Sequence, residues 1–513
     1  MNTEPRLEHQ QFKIMQLVQD FREGRIAIPE FQREYVWRRS KAPRLIDSLY
    51  RGFPISSFLL WQSREEIRAR RRDPRPIRSA LMNWLIDGQQ RIMTLSRTMY
   101  GDEGIDVVFH PDQEEFRLAN AATRKDDHWV RVSELWDDDK YRHLRRNLDE
   151  SRGADRREAR FERVRRILDY EIPIVRMVDH SFRAAVDAFT RINTLGVRLK
   201  KEDIESAEVA AKHSGFVADQ VTPFLQRLRQ QGFTRLNAMH LFRACAFVAN
   251  KDDGRSRTPL PELKRAEVLS AWRATEEATE QAINLIRSEL GLVNMGILWS
   301  GALLVPVIAT CATMSPRQRD SKELAGWLAL AALCHRYSGS SETALDQDLR
   351  ACRKPDPIGA LLTNLRNVRS LTAKARDFSG AIADRSGLLT LYVACMNRGI
   401  MDYYKGGKIL LHSNVNRHHI LPRGQFPENV RRTADNIANM AFIAGDMNKS
   451  IGQAGPEVYL ASQKSRVLKS QCVPTDSALW RIDEADSFWR ARRELLADSF
   501  NDYVRKSLPQ RHL

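Results

Sequence analysis

Two adjacent histidines stand in the stretch Asn416-Arg417-His418-His419-Ile420-Leu421-Pro422, followed by Asn436, Asn439-Met440-Ala441-Phe442-Ile443 and Asp446-Met447-Asn448-Lys449. On an extended segment neighbouring side chains point to opposite faces, so one imidazole can hold a metal while the other faces a substrate. That division of labour suits phosphodiester hydrolysis. Water must lose a proton to a base of near-neutral pKa, and a divalent cation must offset the charge building on the phosphate and leaving oxygen. A bare His-His pair would be explained as surface decoration; the asparagines downstream make the pattern more specific.

A second group sits near the other end, at Asp87-Gly88-Gln89-Gln90-Arg91. Glycine lets backbone approach an anion, and free N–H groups at a helix start already favour phosphate. Two amides and a fixed cation complete a phosphate-binding composition. A turn capped by Asp87 explains the same residues more plainly. Upstream, Ile28-Pro29-Glu30-Phe31-Gln32-Arg33-Glu34-Tyr35-Val36-Trp37 mixes aromatic and polar side chains. Core packing accounts for Phe31, Tyr35 and Trp37. The sharper reading gives Phe31, Gln32, Arg33 and Tyr35 to a site for a modified DNA group, with apolar walls around the substituent and Arg33 on the adjoining phosphate.

The elements that must position these residues follow from patterning. Trp84-Leu85-Ile86 predicts a short buried strand entering the Asp87–Arg91 turn, and Ile92, Leu95 and Met99 predict the helix after it. Residues 171–178, EIPIVRMV, predict another strand, and residues 181–400 are predominantly helical in period. A β-like run over 409–421, a short apolar run over 440–444 and terminal helices follow. Residues 64–78 hold seven Arg, three acids and two Pro and predict a solvated loop. Residues 141–166 hold ten Arg and five acids; a solvated charged helix is the plain reading, DNA contact the sharper one.

Composition bounds the whole. A chain of 513 residues needs two or three packed units, and 42% hydrophobic residues exclude global disorder. Lys plus Arg number 82 against 65 Asp plus Glu, a net charge of +17 that favours a polyanionic partner. Six cysteines form no C-x-x-C pair and no signal peptide is visible, so the expected location is the cytoplasm. Gly296–Met314 is an uncharged run of nineteen residues, which its Pro, Gly and Thr content marks as a buried helix rather than a membrane span.

The C-terminal pattern His418-His419-Ile420-Leu421-Pro422 resembles the HNH nucleases of the His-Me finger (ββα-metal) class. That resemblance implies His419 as general base, His418 as metal ligand and Asn448 as second ligand, with Mg2+ or Mn2+ as cofactor. Asn439, nine residues before Asn448, matches the asparagine that holds the active-site strand by hydrogen bonding across the loop. Asp446 could replace or join Asn448, and His412 lies outside the pattern. The upstream blocks, together with Phe189-Thr190-Arg191-Ile192-Asn193-Thr194-Leu195-Gly196, resemble the N-terminal domain of GmrSD- and SspE-type defence nucleases. Implied there are a ParB/sulfiredoxin-like α/β core and a pocket for GTP or another NTP. Its residues would be Asp87, Gly88, Gln89, Gln90, Arg91, Arg191 and Asn193.

The expected architecture is therefore α+β and multidomain: a ParB-like NTP-binding and sensor domain over 1–180, a helical domain over 181–400, and an HNH nuclease domain over 401–513. The expected function is a phage-defence DNA endonuclease that senses DNA modification and couples NTP turnover to metal-dependent cleavage. Its partners would be DNA, modified DNA first, and a nucleotide, with no membrane; a homo-oligomer stays open. The alternatives are an NTP-dependent DNA-binding switch without nuclease activity and an RNA-directed growth-arrest nuclease.

Overall fold

The computed structural model describes every residue except 1–3, 31, 33–36, 38, 65–80, 102–103, 147–152, 196–200, 251–258, 340, 382–385, 403–414, 445–454 and 513. The side chains of 190, 193–195, 201–204, 386, 415–416 and 444 are also outside the description. The expected arginine-rich loop at 64–78 falls almost wholly outside it. The chain divides into two compact units, Met1–Thr222 and Pro223–Leu513.

The first unit is built on a mixed five-stranded sheet. Its strands are β1 (Arg6–Lys13), β2 (Ile26–Ala27), β3 (Phe58–Ser63), β4 (Met82–Asp87) and β8 (Glu171–Val178), in the order β1-β8-β3-β4-β2. β1 pairs antiparallel with β8, β8 parallel with β3, β3 antiparallel with β4, and β4 parallel with β2. Central β3 buries Phe58, Leu60 and Trp61 completely, as a strand covered on both faces must. Edge strand β1 is mostly exposed.

Helices supply the rest of the core. Helix α1 (Ile14–Arg22) buries Ile14, Leu17, Val18 and Phe21, one stripe at helical spacing, while α2 (Lys41–Tyr50) contributes Leu45, Ile46 and Leu49. Helix α3 (Gln89–Tyr100) follows β4 directly through Gly88, whose φ of 100° lies in the left-handed region. A Cβ built on Gly88 would stand 2.3 Å from the Phe58 ring. Only glycine lets α3 start this close to the sheet. A smaller antiparallel sheet, β5 (Val107–His110), β6 (Glu115–Leu118) and β7 (Val130–Arg131), lies in order β6-β5-β7. The unit ends in helices Phe182–Leu195 and Lys201–Lys212.

Among the described residues, the second unit is mainly helical and carries one β-hairpin. Helix Ser321–Leu333 is buried along its whole length from Leu324 onward, packed against helices including Arg265–Leu290, Pro357–Arg366, Ser386–Asn397 and Ala485–Ser507. The apolar run expected as a buried helix forms a 3-10 turn at Gly301–Leu304 and the buried helix Val305–Thr313. Among the described residues no helix is long and apolar enough to cross a membrane. The hairpin pairs β9 (Val415–His419) with β10 (Met440–Ala444), antiparallel, and packs through Ile420, Leu421, Ile443, Tyr459, Phe488 and Trp489.

Gly88→Ala is expected to destabilise the protein by about 2–5 kcal/mol, combining backbone strain with overpacking against Phe58. Gly101 has φ 69° and open space at its Cβ, so Gly101→Ala should cost only about 1–2 kcal/mol. Urea unfolding of both variants checks the contrast.

Candidate functional site: a histidine hairpin and a strand-to-helix turn

β9 places His418 and His419 at its end, opposite Ala441 and Met440 of β10. The alternation of an extended strand separates them. His418 is 6% exposed and meets the Tyr459 ring edge-on at 5.9 Å, whereas the His419 side chain is 30% exposed. His419 Nε2 lies 2.9 Å from Asp435 Oδ1, and Asp435 Oδ2 is 3.4 Å from Arg423 Nε. A carboxylate only accepts hydrogen bonds, so this contact places the imidazole proton on Nε2.

Asn439 organises the turn between the strands. Its side chain is fully buried, accepts from the Leu421 N–H at 2.9 Å and donates to the carbonyls of Leu421 at 3.0 Å and Ala434 at 2.9 Å. The Ile420 N–H donates to the Asn439 carbonyl at 2.8 Å. One amide thus ties the segment after His419 to the start of β10. Tyr459 donates its hydroxyl to the Ile420 carbonyl. On the far edge of β10 the Gln471 side chain accepts from Phe442 N–H at 2.7 Å and donates to the Phe442 carbonyl at 2.6 Å, acting as a substitute strand partner. Fully buried Arg492 donates to Ala438 O at 2.7 Å and Gln471 O at 3.0 Å. Asn448, Asp446 and His412 lie outside the described residues, as does the Asn416 side chain.

In the first unit the predicted strand, turn and helix around Asp87–Arg91 appear as β4, Gly88 and α3. Arg91 is held inside this turn. Its guanidinium pairs with Asp87 Oδ2 at 2.9 Å, donates to the carbonyls of Ile55 at 2.5 Å and Ser57 at 2.9 Å, and lies over the Phe58 ring. The side chain is 12% exposed, and burial, opposed by Asp87, pulls its pKa below the ordinary arginine value. Asp87, by contrast, remains a third exposed. Gln89 and Gln90 are both buried, and Gln90 Oε1 accepts from the Trp37 N–H at 3.1 Å.

Gln32 is buried and donates its amide to Leu85 O at 2.5 Å and Ile86 O at 2.8 Å. It thereby joins the 28–37 block to the end of β4. Phe31, Arg33 and Tyr35 lie outside the described residues. Arg191 is exposed and pairs with Asp187 one turn earlier at 3.0 Å, on the helix that also carries Asn193, whose side chain is not described. Glu30 has an unanticipated position: its buried carboxylate accepts from the N–H groups of Gly215 at 2.8 Å and Ala218 at 3.0 Å.

Of the ten arginines of 141–166, eight fall on helices Asp138–Arg146 and Ala154–Arg165, Arg166 opens the 3-10 turn Arg166–Asp169, and Arg152 lies outside the described residues. Many are paired within the unit: Arg145 with Glu158, Arg157 with Asp112, Arg160 with Glu114 and Arg165 with Asp138. Neither Asp435 nor Glu30 had a sequence signal beyond its residue type, since each meets partners brought near by the tertiary fold.

Asn439→Ala would leave a buried N–H and two carbonyls without their partner and is expected to cost about 3–5 kcal/mol. Chemical denaturation checks this, with Asn436→Ala as comparison; that side chain makes a single bond to the Thr433 carbonyl.

Residues 14–210 match the family model described as the GmrSD restriction endonuclease, N-terminal domain. The chain is also 20% identical over 562 residues to an uncharacterized protein of Methanocaldococcus jannaschii, covering 93% of this chain and 91% of that one. The family match runs from α1 through the Gln32 block, the Asp87–Arg91 turn and Arg191. Over those residues the chain is similar to GmrSD-type restriction nucleases, which supports a defence nuclease of that type.

Proposed function

We propose that this protein is a DNA endonuclease of the restriction type, in which the β9–β10 hairpin cuts phosphodiesters and the N-terminal unit controls when it does so. The observation that carries the cleavage assignment is the partly exposed His419 ring oriented through Nε2 by Asp435 at 2.9 Å. With its proton fixed on Nε2, the ring offers Nδ1 as the atom that takes a proton from attacking water. Asp435 then steadies the imidazolium that forms, and Asn439 keeps the segment after His419 in register.

His418 and Asn448 would hold Mg2+ or Mn2+. The His418 ring is fixed against Tyr459 beside His419. One imidazole with an amide oxygen is a mixed set that accommodates Mn2+ more readily than Mg2+. When bound, the cation supplies charge neutralisation at the scissile phosphate and leaving oxygen. His419 handles the proton; His418 stays a ligand.

In the N-terminal unit, the Gly88 turn at the start of α3 is read as the seat of a nucleotide phosphate, GTP or another NTP, with Asp87 orienting water or metal. Arg91 holds Asp87 and the 55–57 segment together, so its effect on an incoming phosphate acts partly through Asp87. Gln89, Gln90, Arg191 and Asn193 complete the proposed pocket. The segment around Phe31, Gln32, Arg33 and Tyr35 is read as the sensor of modified DNA, since it is hydrogen-bonded to the end of β4 and to Gln90. Gating has a physical reason: a strongly basic nuclease binds any DNA by counterion release, so control must come from a separate switch.

Plasmid nicking with Mn2+ should fall at least about 100-fold in His419→Ala, the usual scale for a lost general base; equal nicking would overturn the assignment. Asp435→Asn should lower turnover about 10–100-fold with little change in metal affinity. Arg91→Ala and Asp87→Asn should each lose NTP turnover at least tenfold, read as released phosphate, while His419→Ala keeps it. Comparing cutting of differently modified DNAs with and without GTP or ATP tests the control step.

A further inference from the structure

The small sheet of the first unit carries a cluster that the proposed cleavage and nucleotide chemistry do not use. His110 ends β5, and Asp126 and His128 stand just before β7. The β5–β7 pairing, Phe109 opposite Val130 and Val108 opposite Arg131, brings these two sequence-distant pieces side by side. His110, Asp126 and His128 each offer one ligand atom, and these atoms all lie within 4.8 Å of one another.

The two imidazoles are nearly parallel, 5.6 Å apart with an interplanar angle of 11°. His110 is buried and Trp129 meets its ring edge-on at 5.1 Å. Asp126 Oδ1 lies 2.8 Å from His128 Nδ1 and also accepts from the His128 N–H at 3.1 Å, so the two side chains already face each other in this short loop. The nearby carboxylates of Asp112 and Glu115 are already paired with Arg157 and Arg117. The donor set is therefore two imidazoles and one carboxylate.

We infer that His110, Asp126 and His128 form a binding site for a single first-row divalent transition ion of the Zn2+ or Co2+ class. Two nitrogens and one oxygen select borderline ions over Mg2+ and Ca2+, which prefer all-oxygen shells. Bonds of about 2.0–2.1 Å around a tetrahedral ion place donors roughly 3.4 Å apart. Asp126 and His128 are both exposed, so rotation of these two side chains brings the atoms to that spacing while buried His110 stays fixed. Among the described residues, His110 Nδ1 accepts a long bond from the Gln113 N–H, 3.3 Å. Metallation exchanges that weak bond for a metal ligand. Three protein ligands leave a fourth position for water.

The test is Co2+ titration, followed by visible absorption, into the full chain carrying His418→Ala and His419→Ala, which removes the hairpin's own imidazole donors. One equivalent should bind, with a band characteristic of tetrahedral or five-coordinate Co2+, and Zn2+ should displace it while Mg2+ should not. Adding His128→Ala should weaken binding at least tenfold, and Asp126→Asn should do so to a lesser degree. His128 is exposed, so His128→Ala should keep the parent's circular dichroism. A thermal shift given by Zn2+ should likewise vanish in His128→Ala. An unchanged Co2+ titration in His128→Ala overturns the site, as does the absence of any Co2+ band in the parent.

Discussion

Three hydrogen bonds from a single buried amide set the geometry on which the proposed cutting site rests. Asn439 joins residue 421 to residue 434 across the interior of the hairpin turn. Backbone groups there have no ladder partner, and a buried carbonyl or N–H left alone costs on the order of 1–3 kcal/mol. A side chain with both donor and acceptor satisfies them together; a carboxylate or a hydroxyl of similar size could not serve both signs so well. The strand that presents His419 is therefore positioned by polar complementarity, while Ile420, Leu421 and Ile443 anchor it in the surrounding core.

The first unit solves a comparable problem with shape. The β4–α3 junction can approach Phe58 only because residue 88 has no side chain, and Arg91 then closes the turn by binding Asp87 and two carbonyls. Glutamines 32 and 90 attach the 28–37 segment to the same junction. Residues that a sequence presents as polar and therefore available are here largely engaged inside the protein. The exposed edge of that turn is Asp87.

Local pattern made much of this legible. The strand at 84–86, the helix after Gly88, the strand at 171–178 and the helical middle follow from periodicity, and the structure has each of them. The chemistry proposed for the His418–Pro422 run rests on residue type and order. Asp435 had no such signal, because it lies 16 residues beyond His419 in a loop without periodic pattern and meets His419 only once that loop is folded. The arginine-rich 141–166 stretch showed its charge but not its partners. Asp112 and Glu114, which neutralise Arg157 and Arg160, come from the β5–β6 turn more than 40 residues earlier. Net charge is a property of composition; its availability to a polyanion depends on tertiary pairing.

Arg492 gives the hairpin a temporal dependence. Its guanidinium, supplied by helix Ala485–Ser507, reaches the carbonyl of Ala438 immediately before Asn439 and that of Gln471, whose side chain lines the free edge of β10. A growing polypeptide that has emerged only as far as the histidines lacks this brace. The two strands acquire their final support only after synthesis has passed residue 492 and that helix has docked, so a ribosome-bound fragment carries the two histidines without the scaffold that aligns them.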